Sequence, residues 1–234
     1  MKFELADAIN WYVVFLFSLC CHEAAHAWAA SLLGDNTAKH AGQVTLDPTP
    51  HIKRAPFGTV VVPLLSFLFS GSIIGWAHAP YDPVWAQRYP RRCMVMSMAG
   101  PLANLMIALL ALSVIRVGCE WHVLRVSASA PLSQMVSAAG DPAGIWSFVA
   151  KIVSITYKLN VLLCVFNLLP FPPLDGSKIP LAILPQSLAS KYWSILNHPS
   201  LAWVGSYCAW HVFGIISPAV FDAASRVLNA INLR

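Results

Sequence analysis

Two histidines and a glutamate, His22, Glu23 and His26, stand in the order HEAAH inside a run of apolar residues. On a helix, positions four apart lie about 40° apart around the axis and one turn apart along it, so both imidazoles project from one face. That bite suits two ring nitrogens on one tetrahedral zinc ion. A glutamate beside the first ligand can take a proton from a zinc-activated water without ligating the metal, which is the chemistry of a metallohydrolase. With glutamate only at positions 4, 23 and 120, HExxH arises by chance in about 0.3% of chains of this composition. The plainer reading is a packed pair of histidines and a glutamate in a helix bundle. Three ionisable groups deep in an apolar span each cost several kcal/mol unless something compensates them. One zinc ion compensates all three.

A catalytic zinc takes three protein ligands and leaves one position open. The extended HExxHxxGxxH pattern is absent, because Leu32 stands where its last histidine would be. Glu120 lies in the polar sequence CEWH and is a poor candidate. Asp175 is better: it follows an apolar run within NLLPFPPLDG, among Pro170, Pro172, Pro173 and Gly176. Such residues break a helix and can turn the aspartate inward, and irregular backbone at membrane depth is tolerated only where protein or a cavity buries it. Alone, an aspartate in LDG reads as a turn or a helix cap. Paired with HEAAH on another span, it reads as the third ligand.

The elements that must position these groups are membrane helices. The sequence is 57% apolar and 11% charged, with a mean hydropathy of +0.62; soluble domains carry about 25% charged residues. The net charge of +5 is spread in short basic clusters between apolar runs, which suits lipid headgroups and gives no reason to expect nucleic acid. The six cysteines are scattered without CxxC and read as packing residues. Residues 9–33, 94–117 and 146–169 are spans, 201–216 is long enough to cross, and 179–188 is a shorter apolar piece. The first run lacks a basic start and contains HEAAH, so it reads as a retained helix and not a cleaved signal. Residues 42–47 alternate weakly and predict a short strand or hairpin, and 118–144 reads as a surface loop with an amphipathic piece. The expected fold is therefore all-α: a polytopic helical membrane protein of four to six membrane segments, with a short β-hairpin or re-entrant segment after the first span. It reads as one integral-membrane domain over 1–234, with a catalytic core at about 9–180 and C-terminal helices at 181–234.

Geometry constrains the topology. The histidines and Asp175 both come late in their spans, so those two spans must run parallel with 94–117 between them. A full crossing by 57–76 would spoil that parity, so this stretch, interrupted by Pro63, Gly71 and Gly75, is expected to dip in and return or to lie at the interface. Loops 34–56 and 77–93 then share a side with Lys39, Lys53, Arg54, Arg88, Arg91 and Arg92, the cytoplasmic side by the positive-inside rule.

HEAAH, AGPLANL at 99–105 and FNLLPFPPLDG at 166–176, with GQVTLDPTPHIKRAPFGT at 42–59 and GWAHAP at 75–80, resemble the site-2 protease family of intramembrane metalloproteases, in its short branch without a PDZ domain. The resemblance implies one zinc ion per chain held by His22, His26 and Asp175, Glu23 as the catalytic glutamate, and Asn104 and Asn167 near the site. It implies that Asn167 steadies the substrate carbonyl or its oxyanion. His78 departs from the lysine usual in that branch. The function implied is hydrolysis of peptide bonds in or near transmembrane segments of membrane protein substrates, by a multi-pass protein of a bacterial or archaeal inner membrane. Its partners would be a transmembrane protein substrate and the bilayer, with homo-oligomerisation left open. The competing functions are an inactive zinc-binding scaffold, which would have no use for Glu23, and a metal transporter, which would repeat ligands along several spans.

Overall fold

The computed structural model describes residues 5–71, 73–127, 134–141 and 144–232. Four helices are long and apolar enough to cross a membrane: α1 (Leu5–Leu32), α6 (Pro90–Glu120), α7 (Ile145–Asn167) and α9, which runs over Pro199–Asn232. Shorter helices join them: α2 (Thr37–His40), α3 (Pro48–Arg54), α4 (Val62–Ser70) and α5 (Pro83–Arg88) before α6, and α8 (Gln186–Leu196) before α9. Large apolar side chains such as Val13, Phe17, Leu102, Leu110, Val204 and Ile215 are exposed on the long helices. In a protein built for lipid, that outward surface is the expected one. The chain is a multi-pass membrane protein.

Side-chain contacts give the helix directions. His26 meets Met96 and His22 meets Asn104, so α1 and α6 are antiparallel. Asp7 pairs with Lys151 at 2.5 Å and Ser18 with Asn160 at 2.9 Å, so α1 and α7 run parallel. Phe166 packs on Phe213 while Tyr157 donates to the Ala224 carbonyl, so α9 returns antiparallel to α7. The expected parity holds.

The end of α1 is set by Gly34 at φ +101°, with the Asp35 amide reaching back to the Ala30 carbonyl at 2.8 Å. This is a left-handed helix stop that glycine adopts without strain. Asp47 and Asp82 each cap a short helix whose first residue is proline, accepting from the Thr49 and Val84 amides. Between them the chain goes out and comes back. A π-helical turn (Phe57–Val61) leads into α4, and the pair with α3 is bent by 112°. The return carries no regular secondary structure over 73–82, and the Trp76 amide donates to the Gly58 carbonyl at 3.0 Å, so entry and exit of the excursion touch. Arg92 also donates to the Leu33 carbonyl, placing the start of α6 beside the end of α1.

Two expectations about strands are corrected. Residues 42–47 form bends and no strand, because Gln43 and Asp47 are occupied in turn and cap bonds. The hairpin lies instead within 118–144, as β1 (Leu124–Val126) paired antiparallel with β2 (Val136–Ala138). Its Leu124, Val126, Met135 and Val136 are buried against Ala108, Ala111 and Ile115 of α6, Ala150 of α7 and Leu228 of α9. This hydrophobic plug closes the bundle end formed by the end of α6 and the start of α7. The part of the loop at 128–133 lies outside the described residues.

Candidate metal centre

The opposite end of the bundle holds the polar groups. Parallel α1 and α7 bring the last turns of both helices to one level, and antiparallel α6 supplies its first turns there. After α7, the sequence LLPFPP interrupts the helix and Asp175 begins a 3-10 segment (Asp175–Ala182) packed against α6. The consequence is a triangle of ligand atoms. His22 Nε2 and His26 Nε2 are 3.0 Å apart, and each is 3.2 Å from Asp175 Oδ2. Among the described residues, this is the group of histidine, cysteine and carboxylate atoms close enough to share an ion.

The triangle fits a metal. A tetrahedron with bonds of about 2.0 Å has edges of about 3.3 Å, close to the observed separations. The outer hydrogen bonds prepare the same result. His26 Nδ1 lies 2.8 Å from the Met96 carbonyl, which can only accept, so this nitrogen carries the hydrogen and Nε2 the lone pair. His22 Nδ1 lies 2.6 Å from Asn104 Oδ1, giving the same tautomer. Two imidazole nitrogens and a carboxylate oxygen then converge in a buried place, a donor set of the kind that holds a zinc ion.

Asp175 is held as a carboxylate by its neighbours. Burial disfavours its carboxylate, but His26, His22 and Lys178 outweigh that and hold its pKa far below the ordinary range. Lys178 Nζ stands 3.8 Å from Asp175 Oδ1 and faces the ring of Tyr81. Burial lowers the Lys178 pKa, yet Asp175 and Tyr81 more than offset it, so the amine is held charged. Asp175 thus has one oxygen toward the histidines and the other toward a lysine.

Glu23 is buried on the same helix, 3% exposed, and its Oε2 is without a hydrogen-bond partner. A buried carboxylate oxygen without a protein partner is costly, and in a site of this kind a catalytic role accounts for it. Asn167 makes a bond within its own helix. Its Nδ2 donates to the Leu163 carbonyl of its own helix at 2.9 Å, which uses one of its two N–H groups. His211 stacks on Tyr207, and Lys158 lies 5.5 Å from the rings of Trp11 and Phe221.

Sequence reading missed Ser18, Asn160 and Lys178. Asn160 had a signal: it is a lone amide in an apolar run, two turns before Asn167 on the same helix. Lys178 had only its place three residues after Asp175.

A bundle of membrane helices with a buried His–His–Asp triangle and a glutamate at its edge has the build of a membrane metalloprotease. The chain belongs to Peptidase family M50, the site-2 protease family, whose sequence profile matches residues 11–202. It is similar to YwhC of Bacillus subtilis, with 30% identity over 227 residues, 94% of this chain and 92% of the relative. It is also similar to Rip2 of Mycobacterium tuberculosis, with 33% identity over 161 residues covering 69% of this chain and 52% of the relative. Rip2 of Mycolicibacterium smegmatis is 32% identical over 166 residues, with the same coverage of 69% and 52%. The chain therefore spans about half the length of the Rip2 proteins. The names of all three give zinc metalloprotease as a provisional assignment. No solved structure matches significantly.

Proposed function

We propose that the protein is an intramembrane zinc metalloprotease that hydrolyses peptide bonds in or near transmembrane segments of membrane protein substrates. His22, His26 and Asp175 hold one zinc ion, and Glu23 is the catalytic acid–base. The observation that carries this reading is the convergence of three ligand atoms within 3.2 Å, with a buried, unpartnered glutamate oxygen on the helix that carries both histidines.

Zinc, when bound, supplies Lewis acidity that activates water and polarises a carbonyl. Glu23 accepts the proton released as the water oxygen adds to the scissile carbonyl carbon. It then delivers that proton to the amine nitrogen as the C–N bond breaks. Burial of Glu23 keeps this exchange away from bulk water. Asn167 has a second N–H chemically able to donate to the substrate carbonyl. Lys178 holds Asp175 Oδ1 so that Oδ2 alone faces the histidines. A helical substrate must unwind locally to reach the site, because its peptide groups are otherwise closed in intrahelical bonds.

The reading of a scaffold gains nothing from the orphaned Glu23, and the single ligand cluster among the described residues gives no support to a relay of transport sites. The test is purification in detergent with metal analysis and a chelator-sensitive cleavage assay on transmembrane peptides. Glu23→Gln should retain zinc and lose about 10²–10⁴-fold in rate. Full cleavage by Glu23→Gln ends the assignment.

A further inference from the structure

We infer that Asn160, in the middle of α7, is a positioning residue for the metal site: it sets the amide orientation of Asn104 and, through it, the tautomer in which His22 offers Nε2 to zinc. This rests on the zinc-protease reading above and concerns how one ligand is prepared.

A chain of fixed hydrogen-bond polarity crosses three helices. It begins at the Thr156 carbonyl, which can only accept. Asn160 meets that carbonyl at 2.9 Å, so the group facing it must be the Nδ2 amide. The second Nδ2 hydrogen goes to Ser18 Oγ on α1, also at 2.9 Å. Both donors of Asn160 are then used, and its Oδ1 faces Asn104 on α6 at 2.8 Å. Asn104 must therefore present Nδ2 to Asn160. Its other hydrogen points to the Ser18 carbonyl at 3.4 Å, again an acceptor only. Asn104 has only Oδ1 left for His22, 2.6 Å from Nδ1. An amide oxygen accepts, so Nδ1 carries the hydrogen and Nε2 keeps the lone pair a metal requires.

Both asparagines are fully buried, at 0% exposure, so water cannot substitute for a misplaced partner. Turning either amide over would set donor against donor and oxygen against oxygen in a medium of low dielectric. The two histidines thus reach one tautomer by different means. His26 takes it directly from a backbone carbonyl on α6. His22 takes it through a side-chain relay whose direction is imposed from α7.

The experiment compares purified full-length variants in detergent, reading zinc affinity by chelator competition and the visible absorption of the cobalt-substituted protein. Asn160→Leu fills similar space without polarity and should weaken zinc binding about 10- to 100-fold, as loss of outer-sphere partners does, with a changed cobalt band. Asn104→Asp in the Asn160→Leu background should restore much of the affinity, because either carboxylate oxygen accepts from His22 Nδ1 whatever stands at 160. Wild-type affinity and cobalt band in Asn160→Leu overturn the inference. So does a loss that Asn104→Asp fails to relieve, since a packing defect would behave that way. If Asn160→Leu does not accumulate as monodisperse protein, Asn160→Ala is read by the same measurements. A wild-type protein that binds no zinc overturns the zinc reading and this inference together; a zinc-binding wild type with an indifferent Asn160 overturns only the inference.

Discussion

Gly100 on α6 faces His22 so closely that a methyl group on its α-carbon would lie 2.6 Å from His22 Nε2, and nearer still to His26 Nε2. Neither ring can swing away, because each is tied through Nδ1 to α6 itself, His22 to Asn104 and His26 to Met96. The close approach therefore falls on the atoms that would hold the metal. Gly100→Ala is expected to leave the bundle assembled and to weaken zinc binding at least about tenfold, in line with loss of ligand positioning. Metal analysis beside circular dichroism checks it. A normally loaded Gly100→Ala protein would show that the rings are free to move.

Metal removal should destabilise the fold as well as stop catalysis, because the three ligands come from α1 and from the segment beyond α7. A ligand that binds only the folded state at 100 times its dissociation constant adds about 2.7 kcal/mol. Chelated protein is expected to melt at a lower temperature, and added zinc should return it to the starting value. Equal melting curves with and without chelator would mean that the helices are held without help from an ion.

The C-terminal helix supports the irregular stretch that delivers Asp175. Gly205 of α9 lies where any Cβ would overlap the carbonyl oxygen of Pro172, and Ala209 and Phe213 pack with Leu169, Phe171 and Leu174 nearby. Gly205→Ala is expected to cost about 1–3 kcal/mol by overpacking, seen as a lowered melting temperature in detergent. An unchanged transition would show that α9 is loosely docked.

The hydrogen bond between Trp76 and Gly58 implies that residues 57–76 leave and re-enter on one side. Single cysteines placed at the exposed positions Lys39 and Gln87, in a background without native cysteines, should then react with a membrane-impermeant maleimide from the same face. By the positive-inside rule, the basic residues of these loops predict that this shared face is the cytoplasmic one. Labelling from opposite faces would convert the excursion into a full crossing.

Much of the architecture was legible because a bilayer makes strong demands on sequence. A spanning helix needs about 20 apolar residues, and three of the long helices, Leu5–Leu32, Pro90–Glu120 and Ile145–Asn167, fall on the predicted spans with ends shifted by a few residues. The fourth, α9, runs well beyond the predicted 201–216, since the later residues Asp222 and Arg226 are exposed and pair with each other along the helix surface. The hairpin was misplaced for the opposite reason. Three-residue strands such as Leu124–Val126 are too short to show periodicity, and their burial depends on α6, α7 and α9 arriving from far along the chain.

Residue types and spacing alone determined the chemistry on offer: HEAAH is a local pattern, and its two imidazoles share a face wherever that helix sits, because helical geometry is set by backbone bonding within a few residues. Which partner completes the set is not a local property. The approach of Asp175 to those rings depends on α1 and α7 running parallel, and the relay from Thr156 through Asn160 and Asn104 to His22 joins groups up to 138 positions apart. Hydrogen-bond polarity and close approach exist only between surfaces that folding has already brought together, so the tautomer of His22 and the need for Gly100 were decided by tertiary structure.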